Sequence, residues 1–201
     1  MNRIISTALV VAVAGLAACA RPDPMSKHKP EFMVIGIDNK ATWGEDGKLQ
    51  LLPPGKDAVT IVDIGTDPAN PKIVASLPLM NSIFGPPTNL GITPNGQLAL
   101  VANSVDWVAD GANWKSVPDN KLYVIDLTTS PPALIDTVAV GKQPSGMSIN
   151  RAGNLALIAN RADNSISVLS SQGKQVKLVD TVAIGEHVAH VVFTPDGKRA
   201  I

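Results

Sequence analysis

Three tryptophans and a short group of ionisable residues are the side chains in this sequence best suited to binding or chemistry. Indole rings suit sugars, cations or protein partners, because each combines a large apolar face with one hydrogen-bond donor. Histidine, arginine and glutamate could together polarise a carbonyl group and activate a water molecule. The aromatic candidates are Trp43, Phe84, Trp107 and Trp114, and the ionisable candidates are Arg161, Glu186, His187 and His190.

The same residues could also have purely structural roles. Each tryptophan could instead pack under its own loop and keep that loop ordered. His187 and His190 could be hydrogen-bonded loop residues, and in an extended segment they would point to opposite sides, so a shared metal would need a turn. The acidic residues near the tryptophans match no calcium-binding loop, and the pair Asp46-Gly47 is typical of a turn. The sequence therefore predicts no metal site and no cofactor.

Charge and cysteine content exclude several classes of function. The 17 basic and 17 acidic side chains balance, and no run of lysine or arginine could neutralise a row of phosphates, so no nucleic-acid partner is expected. Cys19 is the only cysteine, which rules out a CxxCH haem site or a cysteine-rich zinc site in this segment. Neither a GxSxG motif nor a phosphate-binding glycine loop is present.

The N-terminus has the features of a bacterial export signal. Arg3 precedes an apolar stretch, residues 4–16, that is too short to span a bilayer. This stretch ends in Leu-Ala-Ala-Cys, which resembles a lipobox, and the resemblance implies lipidation of Cys19 and a place in the periplasm or at the outer-membrane surface. Membrane contact would then come only through that lipid. The alternative is ordinary cleavage after Ala20, which would give a soluble periplasmic protein.

Residues 20–30 contain three prolines and several charges, and we interpret them as a linker to a folded part that spans residues 31–201.

Internal repeats predict the architecture of that folded part. DTVAVG at residues 136–141 recurs as DTVAIG 44 residues later, and LALVAN at residues 98–103 recurs as LALIAN 57 residues later. The turns TPNG, NRAG and TPDG, which begin at Thr93, Asn150 and Thr194, follow the same two offsets. Each unit holds four short β-branched runs separated by turn residues, so the prediction is an all-β chain of four-stranded antiparallel propeller blades.

About three blades are present, so we expect an incomplete ring. We label the strands of a blade a to d from the central channel outward. Blade 1 enters at residues 32–37 with its b strand, blade 2 begins near Pro87, blade 3 covers residues 144–184, and blade 4 begins near Val188. Because the outer blades could not bury both flanks, the chain is expected to be the N-terminal part of a larger propeller. The alternative is that a second copy completes the ring.

The blades differ on one face only. In a four-strand meander, the b-to-c and d-to-a connections emerge on one side of the sheet. The b-to-c connection of blade 2 is 13 residues longer than that of blade 3, and blade 1 has a similar insertion between Asp38 and Asp57. These insertions hold all three tryptophans, and the ionisable candidates fall on the same side. The sequence thus predicts one rim rich in loops, where binding residues usually gather.

The stretch IANRADNSISVL at residues 158–169, the DTVA ends and the TPDG turn resemble YVTN-type repeats of the lactonase-like propeller superfamily. That superfamily includes hydrolases, cofactor-bearing subunits and surface proteins, so the resemblance implies a fold more firmly than an activity. We expect an envelope-anchored binding or scaffolding module whose partner is a small molecule or an envelope protein. The alternative is a lactonase-type hydrolase that works at the channel mouth, and whether the protein is an enzyme stays open.

Overall fold

Antiparallel β-strands form all the regular structure of the described residues. The computed structural model describes residues 31–82 and 88–201, so the predicted signal peptide, Cys19, the linker and Phe84 lie outside it. Within those two ranges no helix occurs that is long and apolar enough to cross a membrane. The strands are β1 (Phe32–Ile37), β2 (Ala41–Trp43), β3 (Leu49–Leu51), β4 (Ala58–Asp63), β5 (Lys72–Leu77), β6 (Leu90–Ile92), β7 (Leu98–Asp110), β8 (Asn113–Asp126), β9 (Ala133–Ala139), β10 (Pro144–Ile149), β11 (Leu155–Asn160), β12 (Ser165–Gln172) and β13 (Gln175–Ala183).

The strands form three successive meanders, which are the predicted blades. Blade 2 has the order β6-β7-β8-β9 and blade 3 has the order β10-β11-β12-β13. Blade 1 is the sheet β1-β4-β5, in which β1 is the b strand, as expected, and no a strand occurs among the described residues. Beyond β13, a bridge between Phe193 and Ala200 begins the next a-to-b hairpin. The ring is not closed within this chain.

Alternation along the strands explains how the blades pack. On β7, Leu98, Leu100 and Ala102 contact blade 3, while Ala99 and Val101 contact blade 1. Successive side chains of a strand point to opposite faces, and these strands are buried on both faces, so they read as nearly continuous apolar runs. The periodic apolar core therefore lies between blades and not inside any one of them.

The same irregularity occurs in the c-to-d pairing of all three blades. The register shifts by one residue at Val74, Ile135 and Val179, each of which is an extra residue on the outermost strand. The shift falls next to the same point of strand c each time, between Ile61 and Val62 in blade 1 and between Val124 and Ile125 in blade 2. A β-bulge of this kind bends a strand and increases its twist.

The two predicted long loops are regular hairpins, which sequence reasoning did not anticipate. In blade 2, β7 and β8 stay paired beyond the sheet as far as Asp110 and Asn113, where Gly111 takes a positive φ in a two-residue turn. In blade 1 the insertion folds into the separate two-stranded sheet β2-β3. Both insertions are therefore held by backbone hydrogen bonds along their length.

Candidate binding rim

The b-to-c and d-to-a connections meet on one edge of the blades, which we call the rim. The backbone N–H of Gln143 donates to the carbonyl of Asp119 at 2.7 Å, and the N–H of Arg161 donates to the carbonyl of Gln143 at 3.0 Å. Gln143 is the middle member and has a positive φ of 57°. These bonds join the connections of blades 2 and 3, as the sorting of loops by face predicted.

Trp107 and Trp114 lie on one face of the β7-β8 hairpin. Trp107 pairs with Ser116 and Ala109 pairs with Trp114, so the two indole rings are diagonal neighbours across the strands. Both side chains are half-buried, and the indole N–H of Trp107 is buried without an acceptor among the described residues. Val108, on the opposite face, is 37% exposed.

A polar cluster fixes the base of this hairpin. Asn103, which is fully buried, donates from its amide to Asp119 at 2.7 Å and to Asp106 at 3.0 Å, and its Oδ1 accepts from the N–H of Ser82 at 2.7 Å. Lys121 bridges the same two carboxylates at 2.7 and 3.1 Å. Desolvation opposes the charge on Lys121, but Asp119 and Asp106 outweigh it and raise the pKa of the ammonium. The hairpin therefore leaves the sheet from a rigid base.

The first insertion is anchored by a buried ion pair. Lys40, at 1% exposure, contacts the carboxylates of Asp57 and Asp38. Asp57 also accepts from the N–H of Asn39 at 3.1 Å and the N–H of Asn81 at 3.3 Å. Burial lowers the pKa of Lys40 below its ordinary value, although Asp38 and Asp106 favour the charged form. Beyond this anchor the hairpin projects outward and leaves Trp43 72% exposed.

The structure separates the two histidines. His187 is exposed at a rim corner with a positive φ of 25°, and it occupies the repeat position of Gln143, 44 residues earlier. The bend of this connection falls at residues 185–186, before His187. His190 lies instead beside the innermost strand of blade 3, where its Nδ1 is 3.3 Å from the hydroxyl of Thr88.

The remaining ionisable candidates, Arg161 and Glu186, lie in connections on the rim. Arg161 directly follows β11 and is tied into the rim through its backbone, while Glu186 is exposed next to His187. Across residues 31–82 and 88–201, no three histidine, cysteine or acidic side chains approach closely enough to hold a metal ion. Phe84 lies outside the described residues. The structure therefore brings the tryptophan hairpins to the rim, where the acids and bases that gather at the base of the second hairpin, Asp106, Asp119 and Lys121, pair with one another.

An apolar cavity of about 410 Å³ lies on the far flank of blade 3. Leu157 and Val168 line it, and Leu157 is the repeat counterpart of Leu100, which blade 3 buries completely on blade 2. His190, Val191 and Ile201 of the following hairpin also line it, so the cavity lies between blade 3 and the beginning of the next blade. We do not interpret it as a ligand site.

Comparison with solved structures supports the architecture. The Kuenenia stuttgartiensis hydrazine synthase aligns over 80% of this chain at 17% identity with a TM-score of 0.52. The dihydro-heme d1 dehydrogenase NirN in complex with DHE aligns over 89% at 18% identity with a TM-score of 0.52. The chain has a β-propeller fold. At these identities the likeness shows the fold alone, and the YVTN repeat type stays a prediction.

A third solved structure aligns less closely. The Pseudomonas aeruginosa periplasmic gluconolactonase PpgL aligns over 73% of the chain at 18% identity with a TM-score of 0.46. The chain spans 53% of the hydrazine synthase chain, 31% of the NirN chain and 40% of the PpgL chain. No protein-family model matches the sequence, and no protein of curated function matches it.

Sequence reasoning missed the residues that support the rim. Lys40 and Asp57 were not singled out, because nothing in their spacing indicates that two charges 17 positions apart will be buried together. Asn103 ends the LALVAN run, where an asparagine is typical of a turn, so its pattern does not indicate a buried hydrogen-bonding role. On the innermost strand of blade 3, a Cβ at Gly146 would lie 2.8 Å from the Cα of His190, and this glycine could have been found because the repeat offsets align it with Asn89 and His190.

Proposed function

We propose that this protein is an exported propeller, anchored to the envelope through Cys19, that binds a small molecule or an envelope partner with its rim. The observation that carries the proposal is the pair of projecting hairpins with their tryptophans. Trp43 is 72% exposed, and Trp107 and Trp114 share one face of a hairpin fixed by Asn103. Aromatic side chains held on rigid supports lose little entropy on binding, so they serve well as anchors.

A second observation supports the same surface. The buried indole N–H of Trp107 lacks an acceptor among the described residues, and an unpaired buried donor costs free energy. An oxygen acceptor supplied by a ligand, after a small rotation of the ring, would remove that cost. A hydrogen-bond acceptor on a ligand would therefore favour binding at Trp107, in addition to the contact with its ring.

Tryptophan substitution tests this function. We expect that Trp107→Ala with Trp114→Ala reduces binding of the full chain to purified envelope fragments of the producing bacterium at least tenfold, because aromatic anchors contribute about 2 kcal/mol or more each. Sedimentation of the soluble Cys19→Ser protein with the fragments measures the bound fraction. Val108→Ala, on the opposite face of the same hairpin, is the matched control. Equal binding by the double variant and the control would rule out the tryptophan surface.

Lactone hydrolysis is the second candidate function, and the position of His190 favours it. His190 is exposed beside the innermost strand of blade 3, and an imidazole in such a place can act as a general base on a bound ligand. If this function holds, His190→Ala reduces hydrolysis of sugar lactones by the full-length protein at least a hundredfold, while His187→Ala has a smaller effect. Absence of turnover in the full-length protein would eliminate this candidate and leave the binding function untouched.

A further inference from the structure

The hairpin of the first insertion has one apolar face and one polar face. The register of β2 and β3 places four apolar side chains on the same face: Ala41, Trp43, Leu49 and Leu51. Thr42 and Gln50 pair on the other face. Trp43, Leu49 and Leu51 are 72%, 54% and 39% exposed. Antiparallel sheets usually turn their apolar face to the core, so this hairpin presents outward the side chains that a strand normally buries.

The turn that joins the two strands is charged but close to neutral overall. Lys48 pairs with Asp46 at 3.1 Å, and both side chains are exposed, as is Glu45. Gly47 takes a positive φ of 75° and closes the turn. Charged groups are costly to bury in hydrocarbon, so this turn cannot enter an apolar layer first. The hairpin can only lie flat, with its apolar face against such a layer.

The size of the apolar face favours a lipid surface over a protein partner. Three exposed side chains of this kind offer only about 400 Å². A stable protein interface needs about 800 Å² from each partner, together with close shape complementarity. A lipid surface requires neither, and an indole ring suits the boundary between headgroups and acyl chains, because one end of the ring is apolar and the other carries a hydrogen-bond donor.

The hairpin also lies within reach of the predicted lipid anchor. It directly follows β1, whose first residue is Phe32, and residues 20–30 separate Cys19 from the folded part. Those residues span at most about 40 Å when extended, whereas β1 is only about 20 Å long. A lipid on Cys19 can therefore reach past β1 to the rim end of blade 1.

We propose that the apolar face of the β2-β3 hairpin is a lipid-docking surface, which lies in the headgroup region of the membrane that holds the Cys19 anchor. This inference rests on the proposed envelope anchoring, and it makes the bilayer the partner of the first hairpin. The tryptophans of the second hairpin remain the contact for the partner of the proposed function. A tether alone leaves the propeller free to rotate, whereas a second contact turns the rim of blade 1 toward the membrane.

Quenching by brominated lipid tests the docking. We would reconstitute the lipid-anchored full-length protein with Trp107→Phe and Trp114→Phe, which leaves Trp43 as the only tryptophan, into phosphatidylcholine vesicles. Bromine atoms in the acyl chains should reduce Trp43 emission about twofold or more relative to ordinary vesicles, because an interfacial side chain lies within about 10 Å of those chains. If this background does not fold, the loss of quenching in Trp43→Phe alone measures the same contact.

The matched control moves the indole ring to the polar face of the hairpin. In the same background, Trp43→Phe with Thr42→Trp should show no quenching. Protein that floats with the vesicles but emits equally from Trp43 in both lipids would overturn the docking and leave the anchor intact. Protein that does not float would overturn both. Equal quenching at positions 42 and 43 would also contradict a contact through one face.

Lipid charge and self-association provide the remaining tests. Replacing about a quarter of the phosphatidylcholine with anionic phosphatidylglycerol should leave Trp43 quenching unchanged, because the contact is apolar. Quenching that required the anionic lipid would contradict it. Analytical ultracentrifugation of the Cys19→Ser protein should show no dimer that depends on this face. A dimer that Trp43→Ser dissolves would assign the face to a second copy of the chain and overturn the lipid contact.

Discussion

Replacing Lys40 with methionine is expected to lower the free energy of unfolding by about 3 kcal/mol, because removal of one partner leaves the other charge buried and uncompensated. The side chains of Lys40 and Asp57 are 1% and 2% exposed, so water cannot replace the missing ammonium without opening the rim. Urea denaturation of the soluble full chain, followed by circular dichroism, measures the change. The double variant Lys40→Met with Asp57→Asn should lose less than the sum of the two single variants, since each removes the same interaction.

The chain contains a matched control for this experiment. Lys48 pairs with Asp46 at 3.1 Å on the same insertion, but the two side chains are 82% and 54% exposed. Exposed ion pairs contribute little, so Lys48→Met should change the free energy of unfolding by less than about 0.5 kcal/mol. If Lys40→Met were as mild as Lys48→Met, the buried pair would not anchor the hairpin that carries Trp43.

Leu100→Ala is expected to cost about 3 kcal/mol, a value typical of a leucine deleted from a closed core. Leu100 is fully buried between blades 2 and 3. Its repeat counterpart, Leu157, borders the open cavity of about 410 Å³ on blade 3. Leu157 is 9% exposed and packs with Val191, but part of the space beside it is already open, so Leu157→Ala should cost less, about 2 kcal/mol, under the same conditions.

The difference between Leu100→Ala and Leu157→Ala also shows whether the face of blade 3 beside Leu157 is covered in solution. Both substitutions remove the same atoms from the same strand position, so the difference between them reflects only what covers each residue. Equal losses in urea denaturation would contradict the prediction and would mean that the face of blade 3 is covered in solution. Analytical ultracentrifugation of the unmodified chain would then identify self-association as the cover.

The repeats made the fold predictable to within a residue or two. The four strands expected for blade 3 all occur, because turn residues and β-branched runs repeat at fixed offsets and local chemistry alone places them. The b strand at the start of blade 1 was also predicted correctly from its pattern. These features depend on residues close together in sequence, which is why a single sequence was sufficient.

The supports of the rim depend on contacts that sequence spacing does not reveal. The 13-residue insertion was predicted as a loop, but the two-residue turn at Gly111 allows β7 and β8 to continue pairing. The Thr88 contact with His190 joins residues 102 positions apart, and it exists only because Gly146 lies between them. Contacts between residues so far apart in sequence depend on how neighbouring blades pack, and they cannot be inferred from the composition or spacing of the residues.

The bulges at Val74, Ile135 and Val179 have a consequence for the behaviour of the protein at high concentration. Each lies on an outermost strand, and Ile135 and Val179 are 42% and 56% exposed, so these strands combine apolar surface with an unpaired edge. A flat edge of that composition would template pairing with other chains. The extra residue breaks the regular spacing of free N–H and carbonyl groups in every blade, and so it protects the protein from intermolecular sheet growth and aggregation.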